Sequence, residues 1–285
     1  MIRFLLQRLL LLVIRIGLAL LVVGAVIEVS RFIFGKEADP IWAVSWNDPV
    51  PGEIAPWVKS WEELLHRRIS NSGIALLLAL TGALAFGYSW GILVARLRAL
   101  RLRPVLSFSF QLFASIPGFW FVVLVALYSY VNWQRPGFAN DVVVETGPDL
   151  LRWWNALVVA IPAAAAATAW QFRAVSDAVD SERSRPFVSG LFMAGFRDDE
   201  VFYHHVLRQA KPVLCGLIDG SVPLLLGTMV FAEAAFRYEG MGALLVESLH
   251  EPSRFGLLAS SLWMITVASI LLTIREVLEY VANAD

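Results

Sequence analysis

The chain has 285 residues, 58% of them hydrophobic and only 16% charged, with a formal net charge of -1. A water-soluble domain carries about 25% charged residues, so this balance and a mean hydropathy of +0.65 point to a bilayer. No excess of basic residues and no basic, aromatic-interleaved motif suggests nucleic-acid binding. Cys215 is the single cysteine, which excludes an internal disulfide; at the start of an apolar run it reads as a buried small hydrophobe. His66, His204, His205 and His250 form no cluster of metal-ligand spacing.

The chain opens MIRFLLQRLLLLVIRIGLALLVVGAVIEVS. Basic residues before an apolar core resemble a cleaved signal, but the run outlasts such a core and Arg15 interrupts it, which favours an uncleaved signal-anchor. Residues 1–35 read as an interfacial turn carrying Arg3 and Arg8, followed by a first span over 12–34. Residues 36–72 read as an external segment with Trp42, Trp46, Trp57 and Trp61, in which WVKSWEELL is an amphipathic helix at the interface. Residues 73–285 read as a five-helix core with spans over 73–94, 105–131, 153–172, 213–235 and 256–277. A helix needs about 20 residues to cross the hydrocarbon, and backbone groups in lipid must be paired internally. The period-2 alternation of a membrane barrel is absent. The fold class is therefore an all-α polytopic membrane protein of six transmembrane helices.

Short Arg-rich loops stay cytoplasmic. Arg96, Arg98, Arg101 and Arg103 lie between spans two and three, with no acid among them. Arg3 and Arg8 agree. Asp141, Glu145 and Asp149 occupy the opposite side, as do Glu239, Glu247 and Glu251. Both termini are expected in the cytoplasm. In the fourth span, the small residues Ala163 to Ala167 allow close packing and Pro162 permits a kink; Gly82 and Gly87 suggest tight contacts in the second.

The cytoplasmic stretch 174–211 is too patterned for a plain connector. FVSGLFMAGFRDDEVFYHHVLRQAKP has helical apolar spacing, then Gly195, then acids, then a second helical pattern. Asp198, Asp199 and Glu200 favour a helix start, while Arg208 and Lys211 favour its end. Pro212 fits the first turn of the next span. The pattern predicts two short helices along the membrane face, joined at a glycine. It fits a groove on a soluble partner, or else is a surface hairpin with no partner.

Five pieces in order carry a family resemblance: IRFLLQRLLLLV; RRISNSGIALLLALTGALAFGYSWGILVARLR; SIPGFW at 115–120; GFRDDEVFYHHVLRQA; and GTMVFAEAAFRYEGMGALLVESL. Together they resemble the permease subunits of the oligopeptide/dipeptide/nickel class of ABC importers, the first-permease type among inner membrane components of binding-protein-dependent transport systems. The resemblance implies the type I importer permease fold and half of a translocation pathway; peptides fit it best, while nickel and other small solutes use related subunits. It implies as partners two cytoplasmic ABC ATPases, a second homologous permease and an extracytoplasmic solute-binding protein, in a bacterial inner membrane. ATP and Mg2+ belong to the ATPases, with no cofactor bound by this chain.

By the same resemblance, Gly195 permits the turn that inserts a coupling helix into an ATPase cleft. Phe187 and Val188 match the aromatic–Val pair before it, and Phe192 and Phe196 join that docking surface. His205, Leu207, Arg208 and Ala210 match the second helix; taken alone, His205 reads as an interfacial polar residue. Pro117, Phe119, Trp120, Phe236, Gly240 and Gly242 stand on structural signatures. Asp219, Ser221, Gly227 and Glu233 are the candidates for the pathway or its gate. The chain departs from the pattern in four places: SGLFMA at 189–194 lacks the family's basic residues, the external segment after the first span is shorter than usual, Glu239 replaces a proline, and Asp219 stands where a small residue is more common.

Asp219 lies early in the fifth span, where an ionisable residue faces a cavity or a partner. It lines the passage, pairs with the second permease, or marks a span that starts later. Glu28 in the first span raises the same question, unless Arg31, three residues on, pairs with it on one helical face. There is no GxxxxGKS/T phosphate loop, so the chain does not hydrolyse ATP alone. An ion-coupled secondary transporter and a non-transporting scaffold are the alternatives.

Overall fold

The computed structural model describes residues 2–34, 60–97, 105, 108–109, 112, 115–133, 149–250 and 253–284; every regular element among them is helical. In chain order these are α1 (Ile2–Phe34), α2 (Trp61–Arg96), α3 (Gly118–Trp133), α4 (Asp149–Arg183), α5 (Pro186–Met193), the single turn α6 (Asp198–Glu200), a π-helical turn (Val201–Val206), α7 (Leu207–Gly216), α8 (Ile218–Ala235), α9 (Met241–His250) and α10 (Arg254–Ala284). Stretches of α1, α2, α4, α8 and α10 are long and apolar enough to cross a bilayer, and α3 adds a shorter apolar helix, Gly118–Tyr128. The third expected span is thus described mainly over its second half.

Side-chain meetings fix the helix directions. Gly87 and Gly91 of α2 face Gln171 and Val175 of α4, so these helices run the same way. Gly220 of α8 meets Trp170, while Thr228 meets Gly118 beside Ala166, so α8 runs oppositely to α4. Phe255 of α10 stacks on Trp61 at one end, and Arg275 pairs with Asp219 at the other. Arg8 and Arg15 of α1 both reach Glu276 of α10, setting the N-terminal part of α1 beside the C-terminal part of α10. The first and last helices thus begin and finish at one end of the bundle, the end that carries α5.

The main seam has a simple sequence cause. Ala75, Ala79, Ala83, Gly87, Gly91 and Ala95 recur every fourth residue on α2 and are all buried. Across from them, Ala163, Ala167, Gln171, Val175 and Val179 repeat the same spacing on α4. Rows of this spacing interdigitate, and small residues let helix backbones approach where lipid supplies no hydrophobic drive. Val122 of α3 and Leu225, Met229 and Ala232 of α8 complete the central core.

Several boundaries differ from the sequence reading. α2 starts at Trp61, inside the segment read as external, because Ser60 caps it by accepting from the Glu63 amide at 3.4 Å, with Glu62 and Glu63 in its first turn. Trp61 is buried against Phe255, Leu64, Met241 and Leu244 rather than set at an interface. α4 continues through Pro162 to Arg183, since Val175 and Val179 prolong its buried ridge into the expected loop. Pro212 lies inside α7, and the next span starts later, at Ile218. Residues 36–59, Arg98, Arg101, Arg103, Asp141, Glu145 and Glu251 lie outside the described residues, as do the side chains of Glu28, Arg31 and Asp149.

A Cβ at Gly91 would stand 2.8 Å from Val175 Cβ and 3.0 Å from the Phe172 carbonyl oxygen. Gly91→Leu is therefore expected to push α2 from α4 and cost about 1–3 kcal/mol. Thermal unfolding in detergent measures this; an unchanged midpoint would contradict close packing at the seam.

Candidate functional site

Two constructions stand at opposite ends of the bundle. The first is built on Glu233, near the C-terminus of α8. Its side chain is 1% exposed. Ser72 Oγ donates to Oε1 at 2.6 Å, and the amides of Gly242 and Ala243 donate to Oε2 at 2.7 and 3.2 Å. Ser72 Oγ in turn accepts from the Met241 amide at 2.7 Å. The first amides of any helix lack intrahelical partners. Here a carboxylate from another helix and a hydroxyl from a third satisfy those of α9, with the sign that a helix N-terminus favours.

The chain reaches this cap through a tight reversal. At the end of α8, the Arg237 amide donates to the Ala234 carbonyl and the Tyr238 amide to the Glu233 carbonyl, at 3.3 and 2.9 Å. This is a Schellman termination, with Arg237 at φ 48 where glycine is usual. Phe236 is buried in the central core. A Cβ on Gly240 would lie 2.2 Å from Glu233 Oε2 and 2.5 Å from Ser72 Oγ, and one on Gly242 2.8 Å from Val230 Cα. The spacing Glu233, Phe236, Gly240, Gly242 is thus the pattern of an acceptor, a core anchor and two positions that tolerate no side chain.

α2 binds the same reversal from outside. Asn71 Nδ2 donates to the Glu239 carbonyl at 2.9 Å, and the Tyr238 hydroxyl donates to the Asn71 carbonyl at 3.3 Å. Arg67 pairs with Glu239 at 2.8 Å, and the buried Arg68 pairs with Glu247 at 2.8 Å. Burial pushes the Glu247 carboxyl above the usual carboxylate range, opposed by Arg68 and aided by Glu239. Arg67, Arg68, Asn71 and Ser72 were not singled out from sequence. Their signal is the run RRISNS ahead of the apolar part of α2, which belongs to one of the pieces that carry the family resemblance.

The second construction is the connection after α4. α5 starts with Pro186 in its first turn and ends in another Schellman motif: the Phe196 amide donates to the Leu191 carbonyl at 3.2 Å, with Gly195 at φ 88. Val188 is buried among Val175, Val179, Val201, Phe202, Val206 and Ala210. The opposite face is open: Phe187, Phe192 and Phe196 are about two-fifths exposed and Met193 is 88% exposed. His205 stands edge-on to Phe196, with ring centroids 5.9 Å apart, and Arg208 is exposed on α7.

Two arginines tie this connection to the spans. Arg183 donates to Asp198 Oδ1 at 2.6 Å and to the Ala95 carbonyl at 3.5 Å, with its guanidinium 5.7 Å over the Phe202 ring. Arg96 pairs with Asp199 at 2.8 Å, donates to the Tyr203 hydroxyl and lies 5.0 Å over that ring. Asp198 and Asp199 thus face charges of their own chain.

The remaining candidate residues do not gather into one cluster. Asp219, Ser221, Gly227 and Glu233 spread along α8. Ser221 and Glu233 face the interior; Ser221 Oγ donates to the Ile218 carbonyl of its own helix at 2.8 Å. Asp219 and Gly227 face outward, and Asp219 is 3.3 Å from Arg275 Nε within this chain. Pro117 precedes α3, whose Phe119 and Trp120 are exposed, with Phe119 packed on Phe231 of α8. No group of residues able to hold a metal ion occurs among the described residues.

Residues 87–276 match the sequence family described as binding-protein-dependent transport system inner membrane component. A putative peptide permease protein of Brucella suis biovar 1 (strain 1330) is 25% identical over 221 residues, 74% of this chain and 68% of that protein. A putative peptide permease protein of Brucella ovis matches with the same identity and coverage. The oligopeptide transport system permease protein AppB of Bacillus subtilis (strain 168) is 23% identical over 188 residues, 65% of this chain and 59% of that protein.

Glu233→Ala would leave the buried amides of Gly242 and Ala243 without acceptors. At about 1–3 kcal/mol for each stranded donor, a loss on the order of 2–5 kcal/mol is expected, with Glu233→Gln milder. Thermal unfolding of the purified variants checks the order; an alanine variant as stable as the parent would contradict the cap.

Proposed function

The chain belongs to the binding-protein-dependent transport system inner membrane component family, the permeases of ABC importers, and on that premise we propose that it forms half of a peptide passage worked by partner ATPases. The relatives named as peptide and oligopeptide permeases support the substrate class. The observation that carries the coupling is α5: an apolar face standing out from the bundle, on a helix whose other face is packed into it.

In this reading α5 enters a cleft of a cytoplasmic ATPase, presenting Phe187, Phe192, Met193 and Phe196. No charged residue lies between 186 and 196. Asp198 and Asp199, the next acids, are engaged by Arg183 and Arg96. The contact therefore rests on apolar burial, at roughly 25 cal/mol per Å2, and not on ion pairs that salt screens. ATP with Mg2+ closes the ATPase pair; the Arg96 and Arg183 contacts pass the movement of α5 to the ends of α2 and α4. A second, homologous permease completes the passage. An external solute-binding protein delivers the peptide at the end where Glu233 caps α9. Both termini face the cytoplasm, and ATP turnover belongs to the partners.

Met193→Asp places a charge in the contact without touching the bundle, since Met193 is 88% exposed. Co-purification of the ATPase is expected to fall at least tenfold, while the parent complex survives at about 0.5 M salt, where surface ion pairs are screened. Retention of the ATPase by this variant would contradict docking through α5.

A further inference from the structure

Where α1 meets α10, two arginines converge on one acid. Arg8 Nη1 lies 3.0 Å from Glu276 Oε2, and Arg15 Nη2 lies 2.9 Å from Oε1. The Glu276 side chain is 12% exposed, but those of Arg8 and Arg15 are 31% and 38% exposed. The trio keeps a single positive charge. The arginines stand two turns apart, about 10.5 Å along α1, with the carboxylate between them. Around them Leu9, Leu10, Val13 and Ile14 are exposed, an outward apolar surface of the kind that faces acyl chains.

We propose that this seam binds the phosphate group of an anionic phospholipid, in the leaflet level with the bundle end that carries α5. A guanidinium has five N–H donors in a planar fork matched to phosphate oxygens. Within the trio two guanidiniums face one carboxylate, and both arginine side chains are about a third exposed. Basic positions between transmembrane helices hold anionic headgroups in this way. The exposed leucines, valine and isoleucine select a phosphate attached to acyl chains over one free in water. α10 is the neighbour on which α1 packs. A lipid held at this seam would fasten α1 to the bundle.

The test is native mass spectrometry of the full-length protein taken from nanodiscs of equal phosphatidylglycerol and phosphatidylcholine. The parent is expected to retain phosphatidylglycerol in preference. Arg8→Gln with Arg15→Gln should lower that retention about tenfold. Glu276→Gln, which raises the local charge, should increase it on the order of fivefold. That variant decides the matter if the double variant is not recovered folded. Equal retention of the two lipids by the parent would overturn the site, as would Glu276→Gln without an increase. Displacement of the lipid by millimolar inorganic phosphate would assign the seam to a soluble anion and overturn the lipid reading.

Discussion

The hydrogen bonds received by the Glu233 carboxylate fix the end of the bundle remote from α5. A carboxyl group with 1% exposure is costly unless its oxygens are satisfied. Ser72, Gly242 and Ala243 satisfy it, and in doing so join α2, α8 and α9 at one point. The glycines at 240 and 242 follow from the closeness of that carboxylate, and the buried Phe236 keeps the reversal in register. Arg67 and Arg68 add ion pairs to Glu239 and Glu247 around the same turn. Glu239 stands in this turn and holds it partly through Arg67.

The α2–α4 seam connects that end to the other. Its small residues run from Ala75, in the central core, to Ala95, in the core beneath α5. Arg183 donates to the Ala95 carbonyl itself, and Arg96 is the next residue. A force on α5 therefore meets the ends of two close-packed helices rather than a loose loop. Packed interiors yield by discrete shifts, not by gradual deformation, which is the property the proposed alternating passage needs.

Much of this was legible in the sequence. Hydropathy marked the spans because lipid leaves apolar helices few alternatives. Gly195 marked the end of α5 because the left-handed backbone there favours glycine. The helix ends were less legible. Residues 61–72 read as part of the segment before the second span because Glu62, Glu63, Arg67 and Arg68 are polar; the structure makes them the first turns of α2 and pairs Arg67 and Arg68 with Glu239 and Glu247, far away in sequence. Residues 174–183 looked like a loop for the same reason, although Val175 and Val179 kept a buried ridge. Asp219 left a passage-lining role, a partner in the second permease and a later-starting span open; in the structure a residue of α10, Arg275, lies beside it. The role of Glu233 as a cap was hidden because a cap normally precedes its own helix by one residue, and this acceptor comes from a different helix.

The most direct measurement of the Glu233 cap is hydrogen–deuterium exchange at the Met241, Gly242 and Ala243 amides, read in the purified protein. If the carboxylate and Ser72 hold them, all three exchange as slowly as amides inside α8, although they open a helix. Exchange at the rate of an unprotected helix N-terminus would contradict the cap and, with it, the joining of α2, α8 and α9 at one buried carboxyl.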